Sequence, residues 1–257
     1  MKILVTGHKG FIGQNMVNAL QDHELSFFEV NDPLPNVRGL DWVIHLGANS
    51  STVETNVEKM TNQNYDFSRW ILNECQQHGV NFQYSSSASI YGLYKDFAED
   101  APANPQSPYA WSKFLFDRYV QGFKDRWTIR VQGFRYFNVY GPHEDHKGDQ
   151  ASPYHKFEKQ AKETGVIKLF EGSENYLRDF VHVDTVVDVH KTFFNVTESG
   201  LWNVGTGHAT SFESVARMIA DKYNARVEYI PMPDAVKNQY QTYTCADVTR
   251  LRAHYTP

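Results

Sequence analysis

The stretch "KILVTGHKGFIG" sets Gly7, Gly10 and Gly13 at three-residue intervals directly behind a short apolar run. An apolar run ended by glycine predicts a buried parallel strand. The next segment, "FIGQNMVNALQDH", puts Ile12, Met16, Ala19 and Leu20 on one helical face. Strand, glycine turn and helix in that order constrain the fold more than any other stretch of the chain. Glycine permits a tight turn and lets a pyrophosphate approach the helix N-terminus, where free N–H groups and the macrodipole favour anions. The spacing differs by one from the common G-x-G-x-x-G fingerprint, and an ordinary tight turn would use the same residues.

Strand–helix alternation continues behind this unit. "SFFEV", "DWVIHLGA", "FQYSSS" and "IRVQGFRYFN" read as strands, with helices over roughly 58–78 and 108–124. That pattern predicts an α/β fold, a Rossmann-type doubly wound parallel sheet. One connection departs from it. Only about ten residues, with Pro33 and Pro35 among them, separate "SFFEV" from "DWVIHLGA", where a helical crossover takes a dozen or more. An extended connector at about 3.3 Å per residue still spans a strand of about 20 Å. A bare crossover is expected, with no helix and no additional strand. Farther on, "KLFEG", "LRDFVHV" and "RVEYIPMP" read as extended and "VDTVVDVHKTFFNV" as helical. "SFESVARMIADKY" is a helix with Ser211 as N-cap, and "LWNVGTG" is a further element of the sheet. Residues 1–141 are expected to form the Rossmann domain, with 180–208 interleaved. Residues 142–179 and 209–257 are expected to form a smaller lobe.

Composition excludes several functions. The chain has 257 residues, 41% of them hydrophobic, and a formal net charge of −5, so no basic stripe invites nucleic acid. No run approaches the roughly 18 apolar residues of a membrane span, and the N-terminus lacks a signal-peptide core. Cys75 and Cys245 lie far apart without ligand-spaced histidines. No disulfide and no metal site are expected, and a reducing cytoplasm is the default compartment.

Other residues carry candidate chemistry. In "SPYAWSK", Tyr109 and Lys113 stand at i and i+4 and share a helical face. A nearby ammonium lowers a phenol's pKa, so such a pair can exchange a proton with a substrate alcohol; a surface helix pair has the same spacing. "YSSSASIYG" closes a strand with serines, and Ser87 lies where parallel sheets bind ligands. Lys147 sits in "VYGPHEDHKGDQAS", a charged loop that would ordinarily be only solvated. At the end of the second strand, Asn31 and Asp32 offer an amide and a carboxylate. Lys9 and Arg38 supply opposing positive charge.

Together these segments resemble the extended short-chain dehydrogenase/reductase family, that of the NAD-dependent epimerases and dehydratases. The resemblance runs over nearly the whole chain, through "TGHKGFIG", "HLGA", "YSSSASIYG", "EDAPANPQSPYAWSK", "FRYFNVYGP", "RDFVHVDTVVDV" and "WNVGTG". It implies Ser87, Tyr109 and Lys113 as the catalytic set. For the nicotinamide dinucleotide it implies Gly7, Lys9, Gly10, Phe11, Ile12, Gly13, Asn31, Asp32, Arg38, Leu46, Gly47, Ala48, Asn64, Lys113 and Val139. The cofactor is NADP, by a narrow lean drawn from Lys9, Arg38 and the basic glycine loop, or NAD. The ten-residue connector stands where the family has another strand and helix. The expected strand order is therefore 2-1-4-5-6 with the outer strand of the adenine edge missing, and cofactor binding is expected to be weak and exchangeable.

Within the family the chain is most similar to epimerases of nucleotide-linked heptoses. The segments "GANSSTVE", "GFRYFNVYGPHEDHKGDQAS", "KLFEGSENYLRDFVHV" and "WNVGTGHATSFESVA" carry this similarity. It implies a nucleotide-diphosphate sugar as substrate, held in the small lobe by Ser50, Ser87, Asn138, Phe170, Glu171, Gly172, Ser173, Arg178 and Tyr240. It also implies Lys147 as a second catalytic base facing Tyr109. Where that branch has serine after "HKG" this chain has Asp149, and it stops at "LRAHYTP", short of the family's usual final helix. Two other readings compete. The first is another nucleotide-sugar enzyme, a reductase or a dehydratase; a dehydratase would need Asp-Glu after the catalytic serine position, where this chain has Ala88-Ser89. A non-catalytic NADP-binding protein would fit the shortened edge, against which the Ser87, Tyr109 and Lys113 set argues. The helix pair at roughly 61–77 and 112–124 resembles the family's dimer interface. A homodimer is expected, with Trp70, Ile71, Phe116 and Tyr119 as its apolar candidates.

Overall fold

The computed structural model describes residues 1–233 and 241–256. Its frame is a parallel sheet of six strands in the order β2-β1-β3-β4-β5-β9. These are β1 (Lys2–Thr6), β2 (Glu24–Phe28), β3 (Trp42–His45), β4 (Asn81–Ser87), β5 (Val131–Tyr136) and β9 (Gly200–Val204). Helices cover both faces, so the inner strands read as continuous apolar runs. Side-chain alternation sorts them: Ile3 and Val5 of β1 pack with Met16 and Leu20 on one face, and Leu4 packs with Ile71, Leu72 and Phe116 on the other. The first face carries α1 (Phe11–Ala19) against α6 (Val183–Phe193). The second carries α3 (Phe67–His78) and α4 (Pro108–Gly122), the latter capped by Ser107.

The shortened edge is as the connector length predicts. β2 is the outermost strand, and residues 29–41 return to β3 with neither helix nor strand. Val37 plugs the core from within this connector. The strand itself runs earlier than its apolar pattern suggests. β2 ends at Phe28 because Glu29 N–H donates to the Asp32 carboxylate at 2.8 Å and Asp32 N–H to the Glu29 carbonyl at 2.9 Å, closing a turn. "IRVQGFRYFN" also divides. After β5, Phe137 donates to the Val204 carbonyl, and β6 (Asn138–Tyr140) leaves the main sheet to pair with β8 (Leu177–His182).

β8 is the hinge of a second sheet, flanked by antiparallel β10 (Ala209–Ser211) and parallel β12 (Tyr243–Thr244). Parallel β7 (Val166–Phe170) and β11 (Arg226–Ile230) form a third sheet near α5 (Pro153–Thr164) and α7 (Phe212–Tyr223). Ser211 caps α7, accepting from Ser214 N–H at 3.0 Å. Buried Asp179 of β8 accepts from Thr206 N–H, Thr206 hydroxyl, Gly207 N–H and Ala246 N–H, which fastens the segments behind β9 and β12 to β8.

Two apolar candidates for a dimer face belong to the core instead. Ile71 and Phe116 are buried, and Trp70 and Tyr119 pack partly buried against the same cluster. The exposed apolar side chains on α4 are Trp111 and Leu115, one turn apart.

Two fully buried histidines are held neutral. Ser68 hydroxyl donates to the Asn64 carbonyl, so His45 Nε2–H donates to Ser68 Oγ at 2.8 Å and His45 Nδ1 accepts from Thr6 hydroxyl at 2.7 Å. His190 Nδ1–H donates to Gln83 Oε1 at 2.7 Å, and Nε2 accepts from Tyr136 hydroxyl at 2.6 Å. Burial pushes both rings down to about 3, helped at His45 by the charge of Lys113. Below the ordinary histidine range the unfolded chain takes up protons that the folded one refuses. Stability therefore falls as pH drops from about 6.5 toward 3, by up to about 1.4 kcal/mol per pH unit for each ring. Urea unfolding at pH 7 and pH 5 should show this loss, and His190→Gln should shrink it. An equal unfolding free energy at both pH values would contradict the neutral assignment.

Candidate active site

A cavity of about 590 Å³ opens at the C-terminal ends of the parallel strands. The glycine loop forms its floor. Gly7 has φ 72°, and a Cβ there would lie 2.6 Å from Gly47 Cα; a Cβ on Gly13 would lie 2.1 Å from the Gly7 carbonyl oxygen. Both positions therefore exclude any side chain, and the loop lies flat against the end of β3. No side chain caps Gly10 at the start of α1, and no acidic residue sits in its first turn. Gly10 N–H donates to the Gly7 carbonyl at 3.1 Å, and the free N–H groups of the first turn belong to Phe11, Ile12 and Gly13, which line the cavity. The donor set and the tight cradle fit a dinucleotide pyrophosphate.

The wall that carries the candidate catalytic residues comes from β4 and α4. Tyr109, in the first turn of α4, is half-buried and hydrogen-bonded to Ser87. Burial pushes its phenol up, and the Ser87 bond opposes this. The Lys113 ammonium, expected to lower it, is not a cause of the shift and donates to the Ser85 carbonyl at 2.8 Å. Burial brings Lys113 itself down to about 8 against the opposing charge of Asp117. Ser87 touches the cavity through Tyr109 rather than lining it. Tyr136, missed in the sequence, lies beside Tyr109 in the wall.

Asn64 works from behind. It is buried in the π-helical turn Thr61–Asp66 that joins α2 (Val57–Met60) to α3. Its side chain accepts from Asn49 N–H at 2.7 Å and donates to Ser112 Oγ at 3.0 Å, while Ser112 hydroxyl donates to the Tyr109 carbonyl at 2.7 Å. It fixes the 46–50 segment, of which Leu46, Gly47, Ala48 and Ser50 line the cavity.

Lys147 lines the same cavity as Tyr109, from the turn Asp145–Gln150. Its ammonium stands 3.6 Å from the Glu144 carboxylate and 4.9 Å from the centre of the Phe11 ring. Burial lowers its pKa, and Glu144 opposes that.

Other expected contacts are not brought to the cavity. Arg38 donates to His78 at 3.4 Å, and Lys9 lines a separate cleft with His8, Gln14 and His143. The carboxylates that do reach the cavity at the β2 end are Glu29 and Asp32, while Asn31 is turned out of it. Glu29 accepts from Lys9 N–H at 2.8 Å. Sequence reasoning missed Glu29 because the apolar run "SFFEV" was read two residues past the true strand end. Val139 is tied into β6, and Asn138 donates to the Asp179 carbonyl. Phe170 ends β7 and Glu171, Gly172 and Ser173 form the turn after it, where Ser173 hydroxyl donates to the Phe170 carbonyl. Arg178 is buried, with its guanidinium on the Leu177 and Gln241 carbonyls and over the Phe212 ring. None of these seven lines the cavity in this state. Tyr240 lies outside the described residues. Among the described residues no cluster of three or more metal-ligating side chains occurs, and no helix is long and apolar enough to cross a membrane.

Residues 27–205 match the model of the NAD dependent epimerase/dehydratase family. The ADP-L-glycero-D-manno-heptose-6-epimerase of Brachyspira hyodysenteriae is 40% identical over 289 residues, 98% of this chain and 91% of that protein. The crystal structure of the Helicobacter pylori enzyme of the same name superposes with a TM-score of 0.88 at 25% identity, over 100% of this chain and 91% of that one. The UDP-glucose 4-epimerase of Thermus thermophilus, in complex with NAD, superposes with a TM-score of 0.82 at 26% identity, over 99% of this chain and 93% of that one.

Proposed function

The chain belongs to the NAD-dependent epimerase/dehydratase family, and we propose that within it the protein is a nucleotide-sugar epimerase that inverts carbon 6 of an ADP-linked glycero-manno-heptose. The observation that carries this reading is the cavity itself: Tyr109 from α4 and Lys147 from the lobe line one space above the glycine loop. The relative that is 40% identical bears that activity in its name.

A nicotinamide dinucleotide held over the Gly7, Gly10 and Gly13 loop would supply a hydride acceptor for the carbinol carbon and a hydride donor for the opposite face. The chain's own residues handle the proton and the geometry. As the carbon is oxidised, its hydroxyl proton passes to one base and a ketone results. On the return step the inverted carbon's oxygen takes a proton from the other base; the hydride is thus restored, while the first base has gained the proton that the second has lost, and exchange with solvent resets both before the next turnover. Inversion presents the hydroxyl in two positions, and two proton-transfer groups meet that need. Tyr109 serves one epimer, with Ser87 holding the reacting oxygen; Lys147 serves the other. Residues 142–179 and 209–233 would hold the sugar nucleotide, with Asn138, Phe170, Glu171, Gly172, Ser173 and Arg178 as candidate contacts outside the cavity; Ala246, Val248 and Leu251, expected in the same lobe, pack in the core with Phe134 and Trp202. The two unbridged cysteines, one of them buried, fit a reducing cytoplasm.

The two-base reading separates the half-reactions. With each pure epimer in a single turnover, followed by the near-ultraviolet absorbance of the cofactor, Tyr109→Phe slows oxidation of one epimer by about 10²–10⁴-fold. Lys147→Met slows the other by a similar factor, and Lys113→Met depresses both. Equal effects of Tyr109→Phe on both epimers, with Lys147→Met inert, would sink the assignment.

Cofactor choice follows from the β2 end. Glu29 and Asp32 suit ribose hydroxyls and oppose a ribose phosphate, whereas Arg38 is engaged with His78. NAD should bind more tightly than NADP in calorimetric titration, and Glu29→Gln should narrow the gap. Tighter NADP binding in the unaltered protein would overturn this preference.

The protein is also proposed to be a homodimer across α3 and α4, with exposed Trp111 and Leu115 in place of the buried Ile71 and Phe116. Sedimentation at micromolar concentration should give a dimer that Trp111→Glu weakens. A monomer throughout would count against it.

A further inference from the structure

The loop between β6 and α5 is charged in sequence and sits at the mouth of the cavity, yet one of its carboxylates is fully buried. Glu144 has 0% side-chain exposure. Its Oε1 accepts from Gly141 N–H at 3.1 Å and Ser152 hydroxyl at 2.7 Å, and its Oε2 accepts from Ser152 N–H at 2.6 Å. These bonds join the two ends of the loop, since Gly141 follows β6 directly and Ser152 is the N-cap of α5. The Glu144 carbonyl accepts from Lys147 N–H at 2.9 Å, which starts the turn. The fourth group on the carboxylate is the Lys147 ammonium at 3.6 Å, whose other neighbour is the Phe11 ring of the glycine loop.

A buried carboxylate without partners is costly, and one that accepts several hydrogen bonds beside a cation is not. Nothing in loop closure requires that the cation be Lys147, because Gly141 and Ser152 already supply three donors. The ion pair has a separate consequence. It draws a side chain with four rotatable bonds to one place, between the anion and the aromatic face, at the wall opposite α4.

We propose that Glu144 is a positioning residue of the reaction: its buried carboxylate aims the Lys147 side chain into the cavity and sets how readily that lysine gives up its proton. This rests on the two-base reading above. Glu144 opposes the lowering that burial imposes on Lys147, and Lys156 adds to the lowering from α5. Lys156 is turned aside by its bond to the Asp149 carbonyl. The other titratable groups of the same cavity are Tyr109, Lys113, Tyr136, His146, Glu29 and Asp32. Removing the charge of Glu144 while keeping its shape therefore shifts Lys147 toward the free amine and loosens its aim.

The test compares Glu144→Gln with the unaltered protein by two readouts. In the first, lysines are dimethylated with ¹³C and the Lys147 resonance, assigned by its loss in Lys147→Met, is titrated by NMR without cofactor. Its midpoint should move to lower pH in Glu144→Gln and stay near the original in Glu144→Asp. In the second, the half-reaction that depends on Lys147 should lose about 10–10²-fold of its plateau rate, with its acid limb moved to lower pH. The Tyr109-dependent half-reaction should keep its rate and profile. An unmoved Lys147 midpoint, or equal slowing of both half-reactions with unmoved profiles, would make Glu144 a loop fastener and overturn the proposal. If Lys147→Met leaves both half-reactions intact, the two-base reading fails on its own, and the NMR titration still decides whether Glu144 governs Lys147. Should Glu144→Gln not fold, Lys147→Met decides. Stranding the carboxylate should lower the melting temperature at pH 8 more than at pH 4, and equal melting at both would overturn the pairing.

Discussion

A single chain of hydrogen bonds joins the floor of the cavity, beside the glycine loop, to helix α4. Gly47 N–H donates to Thr6 Oγ1, Thr6 to His45, His45 to Ser68, and Ser68 to the carbonyl of Asn64. The Asn64 side chain then bonds Ser112, which holds the carbonyl of Tyr109. Every member up to Ser112 except Gly47 is buried. Because His45 is neutral and has one donor and one acceptor, the chain has a single consistent direction. The π-helical turn at Thr61–Asp66 serves this chain, since the extra residue in the turn brings Asn64 round to face both the 46–50 segment and α4. Tyr109 is thus placed by groups that never meet a substrate.

That arrangement explains which parts of the site could be read from the sequence. Gly7, Gly10 and Gly13 are legible because their spacing reflects a backbone constraint, and the constraint is met at 2.1 Å and 2.6 Å from other backbone atoms. Tyr109 and Lys113 are legible as an i, i+4 pair on a capped helix. Glu29 was not, because the end of β2 is set by a local turn that competes with an apolar pattern running on to Val30. Glu144 was hidden by its company: in a loop of Glu, Asp, His and Lys, nothing local distinguishes the one carboxylate that tertiary packing buries. Arg178 shows the opposite case. Its resemblance to a substrate contact is plain in sequence, while its guanidinium is occupied by backbone carbonyls.

The missing outer strand has a physical counterpart at the cavity. With no strand beyond β2, Val30 and Leu34 are left largely exposed at its rim, and both line it. An adenine ring laid there would cover apolar surface that the fold does not, so cofactor and protein complete each other at this edge. Val37 closes the core beneath the connector, which is why the sheet tolerates a bare crossover.

The central claim is that inversion proceeds by oxidation and return of the same hydrogen, with the chain's residues moving only the hydroxyl protons. Incubating the protein in D₂O with one pure epimer of ADP-glycero-manno-heptose and following carbon 6 by proton NMR tests it most directly. The account predicts formation of the opposite epimer with protium retained at carbon 6. Deuterium at the inverted carbon, or no inversion with NAD or NADP supplied, would contradict it.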